Sequence, residues 1–188
     1  MKLQLALSAA LLASAATMTQ AQSDMMNPTV GGAEMSMEMN IVENAMNSPI
    51  HTTLVAAVVA AGLAETLQGD GPFTVFAPTD AAFAKLPEGA VAELLLPQNM
   101  DRLVEILTCH VVAADAMSDA IMGMVNDDGG MHIVPTLGGC ELEARYSGDM
   151  ITLTDGQGQV ATVTVADVKQ SNGVIHVIDT VMLPAVRG

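Results

Sequence analysis

The stretch "SNGVIHVID", residues 171–179, joins a turn signal to a strand. Asn172-Gly173 is a pair that supplies the positive φ angles of a tight hairpin turn. Val174, Ile175, Val177 and Ile178 follow as a β-branched run, with His176 in its middle. Strand side chains alternate, so Val174, His176 and Ile178 share one face and Ile175, Val177 and Asp179 the other. A histidine in such a strand has three readings: metal ligand, general base, or structural residue with both ring nitrogens hydrogen-bonded. The sequence favours the third. His176 and His110 stand alone in separate strand contexts, with no Glu, Cys or Asp beside them at ligand spacing. Buried polar groups are normally paired, which suits a core histidine.

Working back from that strand, the texture after Asp127 is β. "MHIVPTL", "CELEARY", "MITLTD" and "QVATVTVAD" are short alternating runs, separated by Gly138-Gly139, Gly148-Asp149 and Asp155-Gly156. The preceding half is helical. Asn40 with Glu43 three residues on is a capping box. Leu54, Val55, Val58 and Val59 repeat at helical spacing, and Gly62 stops or bends that helix before a second short one through Leu67. "FTVFAP", 73–78, is a strand that Pro78 ends. Thr79 or Asp80 then caps a short helix, with the Asp80 charge at its positive end. Helical segments follow at 89–96 and from Pro97 through Leu107, then a strand over 108–112 and a helix over 115–125. Helices first and strands last give an α+β class.

The chain begins with Met1-Lys2, an apolar Leu3–Ala16 stretch and Thr19-Gln20-Ala21, the pattern of a secretory signal peptide. The expected division is a signal peptide at 1–21, a flexible Met-rich leader at 22–39 without strand or helix period, and one domain at 40–186. Gln22 and not Cys stands directly after Ala21, so no lipid anchor is expected there, and no second long apolar run suggests a membrane span. Without residues 1–21 the chain keeps five basic and 21 acidic residues, a net charge of −16. Such a surface repels nucleic acid and anionic membranes. With no Trp, one Tyr and three Phe, it lacks a stacking platform for bases or sugars. Two cysteines in an exported chain favour a disulfide, the other reading being two separate buried thiols.

"FTVFAPTDAAF" (73–83) and "NGVIHVIDTVMLP" (172–184) resemble the two signature segments of fasciclin domains, in the right order and at the right separation. The resemblance spans about 40–186. It implies a wedge of β-sheets with helices packed around it. It also implies an exported module, periplasmic or extracellular, for cell-surface or matrix contact, whose partner is a protein or polysaccharide. The family usually has Tyr-His where this chain has Cys109-His110, a segment linked in animal members to integrin-dependent adhesion. Its Asp-Ile pair, also linked to integrin contact, is matched by Asp167-Val168. The resemblance therefore implies a partner surface containing His110, Asp167 and Val168, and a fold role for Thr79, Asp80, Asn172, Gly173 and His176. Cys109 in place of Tyr is free to bridge Cys140. Such a bridge would close a loop of about 30 residues, worth roughly 3 to 4 kcal/mol in the chain-entropy picture.

The leader carries Met35, Met37 and Met39 in alternation. Thioethers suit Cu(I), so copper handling is the alternative function; the simpler reading is a tether without a cofactor. No nucleophile elbow, phosphate loop, dinucleotide fingerprint or His-Glu-x-x-His occurs, and a non-enzymatic protein is expected. Glu141 and Glu143, two apart on one strand, read as solvated.

Overall fold

The computed structural model describes residues 27–148 and 150–185. The signal peptide, its cleavage site and the first residues of the leader lie outside the described residues, as does Asp149 of the expected Gly148-Asp149 turn.

A small hairpin comes first, β1 (Thr29–Val30) and β2 (Ala33–Glu34), turning at Gly31-Gly32. The expectation of a leader without strands fails here. Val30 and Met35 are 3% and 2% exposed and belong to the core, and the Met35 N–H returns to the Pro28 carbonyl. Nothing periodic marks so short a hairpin; two glycines at positive φ and two buried side chains suffice to hold it.

The helical half follows: α1 (Ile41–Asn47), α2 (Thr52–Ala60), α3 (Ala64–Leu67), β3 (Phe73–Pro78), α4 (Asp80–Phe83), α5 (Ala90–Leu94), a 3-10 turn at Pro97–Asn99, and α6 (Met100–Thr108). The Asn40–Glu43 capping box forms as read, with both reciprocal bonds at 2.9 Å. Gly62 takes φ +68° between α2 and α3. Then come β4 (Val111–Val112), α7 (Ser118–Asp127), β5 (His132–Pro135), β6 (Glu141–Ser147), β7 (Met150–Thr154), β8 (Val160–Gln170) and β9 (Gly173–Ile178). The strand expected over 108–112 is only β4, because Thr108 still closes α6 and His110 sits in the turn between them.

Seven strands form one sheet in the order β4-β3-β9-β8-β7-β6-β5, all antiparallel except the interior β3–β9 pair. Parallel central strands are buried on both faces, which is why FTVFAP and GVIHVI read as continuous runs and not as alternation. On one face Val75, Ala77, Ile175 and Val177 meet residues of α1, α2 and α6. On the other, Phe76 and Ile178 meet Leu142, Leu153 and Val163, with Ile121 and Val125 of α7 as the cover. Each of the valine, leucine, isoleucine and phenylalanine side chains among them contributes about 1.5–3 kcal/mol by leaving water.

The sheet comes close to a barrel. Beyond β5, the Leu137 N–H donates to the Val111 carbonyl at 2.8 Å and the Gly138 N–H to the Thr108 carbonyl at 3.0 Å. The chain after one sheet edge thus returns to the other. A Cβ on Gly138 would lie 2.9 Å from the Cys109 nitrogen, so only glycine permits this approach. A disulfide joins Cys109 to Cys140 beside these bonds, with Cα atoms 5.3 Å apart.

Candidate functional site

The two signature segments lie side by side as β3 and β9, and the residues singled out in them tie the fold together. Thr79 leaves β3 in an extended conformation, and its hydroxyl accepts from the Ala82 N–H at 3.2 Å, capping α4. Asp80 does not serve its own helix. Its carboxylate accepts from the Thr53 N–H (2.8 Å), the Thr52 hydroxyl (2.8 Å) and the Thr52 N–H (3.3 Å), so it caps α2 from across a gap in sequence. Burial alone would raise its pKa; the bonds from Thr53 and Thr52 outweigh this and hold it below the usual carboxylate value.

His51, just ahead of α2, carries no signal in the sequence beyond its place before a helix. Its Nδ1 shares a 2.7 Å hydrogen bond with the Ser48 hydroxyl. The pair has the elements of a nucleophile and its base. With both residues 3–4% exposed, it has no access to a substrate.

Asn172 was expected as a turn residue with Gly173. The register pairs Gln170 with Gly173, so the two-residue turn is Ser171-Asn172, one position earlier. The Asn172 side chain acts as a staple. Its Oδ1 accepts from the Ile41 N–H (3.0 Å), and its Nδ2 donates to the carbonyls of Leu67 (2.8 Å) and Gly69 (3.0 Å). A Cβ on Gly173 would sit 1.9 Å from the Phe73 carbonyl oxygen, so that residue must be glycine for β9 to lie beside β3.

His176 is wholly buried and stacks on Phe76. Its Nε2 is 2.7 Å from the Ala116 carbonyl and its Nδ1 is 3.3 Å from the Asp167 N–H. A carbonyl can only accept and an N–H only donate, which fixes the ring as the neutral Nε2–H tautomer. His110 is satisfied the other way round. Its Nδ1–H donates to the Ile106 carbonyl (2.7 Å) and its Nε2 accepts from the Met182 N–H (2.9 Å). Burial pushes His110 down to about 4, against the opposing pull of the Ile106 carbonyl and Asp155. Burial also lowers His176, opposed by the Ala116 carbonyl and by Asp167 and Asp115.

The partner surface implied by the resemblance is not assembled. His110 is 2% exposed and Val168 fully buried, so neither offers a contact to another molecule in this fold. Val168 faces inward because β8 slips register against β9 twice, between Val163 and Val165 and again before Val168. Asp167 takes φ +59°, and its carboxylate accepts from the Ser118 N–H at 2.7 Å and from the Ser118 hydroxyl. It caps α7 and is not a free loop tip.

The methionine alternative loses its geometry as well. Met35 lies in the core while Met39 is exposed, so the alternating triad presents no common face. Among the described residues no group of three or more His, Cys, Asp and Glu is placed to hold a metal ion. Glu143 pairs with Arg145 at 3.3 Å, and Glu141 lies exposed beside it on a broad open cleft. An aliphatic cavity of about 40 Å³ lies between α1, α2 and the sheet, bounded by Val42, Leu54, Val58, Leu67, Val75 and Ile175. No described helix is long and apolar enough to cross a membrane.

Residues 49–184 match the family model of the fasciclin domain. Protein sll1483 of Synechocystis is 43% identical over 172 residues, covering 89% of this chain and 86% of that protein. The transforming growth factor-beta-induced protein ig-h3 of Sus scrofa is 35% identical over 132 residues, 70% of this chain but 17% of that longer protein. Among solved structures, a FAS1 domain pair from the insect cell adhesion molecule Fasciclin I superposes with a TM-score of 0.69, at 18% identity, covering 77% of this chain and 51% of the pair.

Proposed function

This chain belongs to the fasciclin domain family, and on that premise we propose that it is an exported binding and adhesion module, contacting a protein or polysaccharide of the cell surface or matrix without catalysing a reaction. The observation that carries the reading is the family match over nearly the whole described domain, together with a fold neighbour described as a cell adhesion molecule. The chemistry of the core supports it. The ring nitrogens of His110 and His176 are occupied by the protein's own backbone, which leaves neither as a free base or ligand. The proposed arrangement keeps a signal peptide at 1–21. The domain starts earlier than Asn40, because the hairpin at 29–34 packs into its core. Its contact surface lies elsewhere than His110 and Val168. The copper alternative has no observation in its favour.

The test uses the chain from Gln22 onward, immobilised, with native cell-envelope fractions flowed across it. Saturable retention that soluble domain competes away is the expected result. Absence of any saturable binding to envelope or matrix preparations, or a turnover activity in the purified protein, would overturn the reading.

A further inference from the structure

Helix α7 and the loop before it cover one face of the sheet, packing over β5 and β6, and three side chains from three neighbouring strands clasp that loop. Thr74 of β3 donates its hydroxyl to the Ala114 carbonyl (2.6 Å) and accepts from the Ala116 N–H (2.8 Å). His176 of β9 donates from Nε2 to the Ala116 carbonyl. Asp167 of β8 holds Ser118 at the first turn of α7 through its carboxylate, while its own N–H is held by Nδ1 of His176. The imidazole therefore connects both halves of the clasp, and only its neutral form can do so.

We propose that His176 is a proton-operated latch: protonating its Nδ1 releases the loop at Ala114–Ser118 and lets α7 lift from the sheet while the β3–β9 pair and the helical core stay folded. A proton on Nδ1 turns an acceptor into a donor aimed at the Asp167 N–H, and that bond is lost. The groups facing the ring are Asp167 on β8 and Asp115 in the clasped loop, with the uncharged Phe76 ring and Thr74 on β3. Either carboxylate would welcome an imidazolium. If Asp167 turns its carboxylate to the ring, it does so at the expense of Ser118, so this route also frees α7. Asp167 already sits at φ +59°, a left-handed conformation that aspartate tolerates better than most residues and that its bonds to Ser118 and His176 help to hold. Release would uncover the apolar side chains of Val134, Leu142 and Ala144 beneath Ile121 and Val125, all of them buried in the closed fold. The second face of the central strands keeps its helical cover, because Val75, Ala77, Ile175 and Val177 pack against a separate cluster. This device goes beyond the adhesion reading and does not depend on it.

The experiment is backbone hydrogen exchange of the chain from Gln22 onward, read by mass spectrometry between about pH 7 and about pH 4.5 and corrected for intrinsic exchange. The opening equilibrium of 114–127 should rise by up to about tenfold per pH unit once the ring begins to take up its proton, while 173–178 stay protected. In His176→Gln, whose side-chain amide can still donate to Ala116 but does not titrate, 114–127 should lose this pH dependence. Loss of protection in both segments together, or an unchanged pH dependence in His176→Gln, would overturn the latch. Should that variant fail to fold, NMR titration of the His176 ring in the native protein decides. Its midpoint must coincide with the opening of 114–127, and a midpoint well separated from it refutes the proposal.

Discussion

Leu137 donates its N–H to the Val111 carbonyl at 2.8 Å, and this bond joins the two ends of a seven-stranded sheet. Edge strands left open invite pairing with other chains, and closure removes that hazard. The Cys109–Cys140 disulfide sits beside the seam with a sequence separation of 31, so it constrains a long loop of the unfolded chain. Replacing both cysteines with Ala is expected to cost roughly 2 to 4 kcal/mol. Urea unfolding of C109A/C140A beside the oxidised native chain measures this; identical midpoints would mean that the backbone seam alone closes the sheet.

At the β8–β9 turn, Asn172 satisfies three main-chain groups from two other parts of the chain. Asn172→Ala strands the Ile41 N–H and the carbonyls of Leu67 and Gly69, some of which water can reach. The expected loss is about 2 kcal/mol, in the middle of the range for a buried polar group left unpaired. Gly173→Ala should be worse, because its Cβ has no room beside the Phe73 carbonyl and the strand must shift. Circular dichroism melts of both variants rank them, and the reverse order would contradict this account.

The parts of the fold legible in the sequence were those set by local chemistry. The Asn40–Glu43 box, the Thr79 cap, the stop at Gly62 and the β-branched strands depend on neighbours a few residues away. The paired nitrogens of His176 were foreseen because a buried imidazole has few alternatives. What stayed hidden depends on distant partners. Asp80 looks like the cap of the helix it begins, yet its carboxylate finds the start of α2, which has no side-chain cap of its own. The resemblance puts Val168 on a partner surface, yet two register slips in β8 turn it inward. Met35 sits in a segment without period, and only the return of the hairpin carries it into the core.

Acid should weaken the protein well above the carboxylate range. Burial lowers the folded-state pKa of His51, His110 and His176 below 6.5, so the unfolded chain binds protons more tightly at all three. Stability contributed by such groups is full above the unfolded value of about 6.5 and falls as pH drops below it, until the folded value is reached. For His110 that window runs down to about 4. Its width corresponds to roughly 3 kcal/mol at most. Asp80 and Asp179, both held below their ordinary value, add a further loss only at more acidic pH. Chemical denaturation at about pH 7.5, 6 and 4.5 should show a continuous decline, and a flat profile between pH 7.5 and 4.5 would exclude the buried histidines as its source.

Asp167 offers the sharpest contrast between a contact residue and a structural one. As an exposed loop tip, its replacement would leave stability unchanged within about 0.5 kcal/mol and abolish partner binding. The geometry predicts otherwise. Its carboxylate caps α7 through Ser118, its N–H satisfies His176, and its backbone occupies the left-handed region. Asp167→Ala removes the cap and places an alanine where φ is positive, for an expected cost of about 1 to 3 kcal/mol. Asp167→Asn keeps an acceptor for the Ser118 N–H, and asparagine tolerates positive φ better than most residues, so it should retain most of the stability. Partner binding by Asp167→Asn should match the native domain, since the side chain bonds Ser118 of α7. Unfolding curves and a binding assay on the two variants together settle the role. A stable Asp167→Ala protein that no longer binds would return Asp167 to the contact surface.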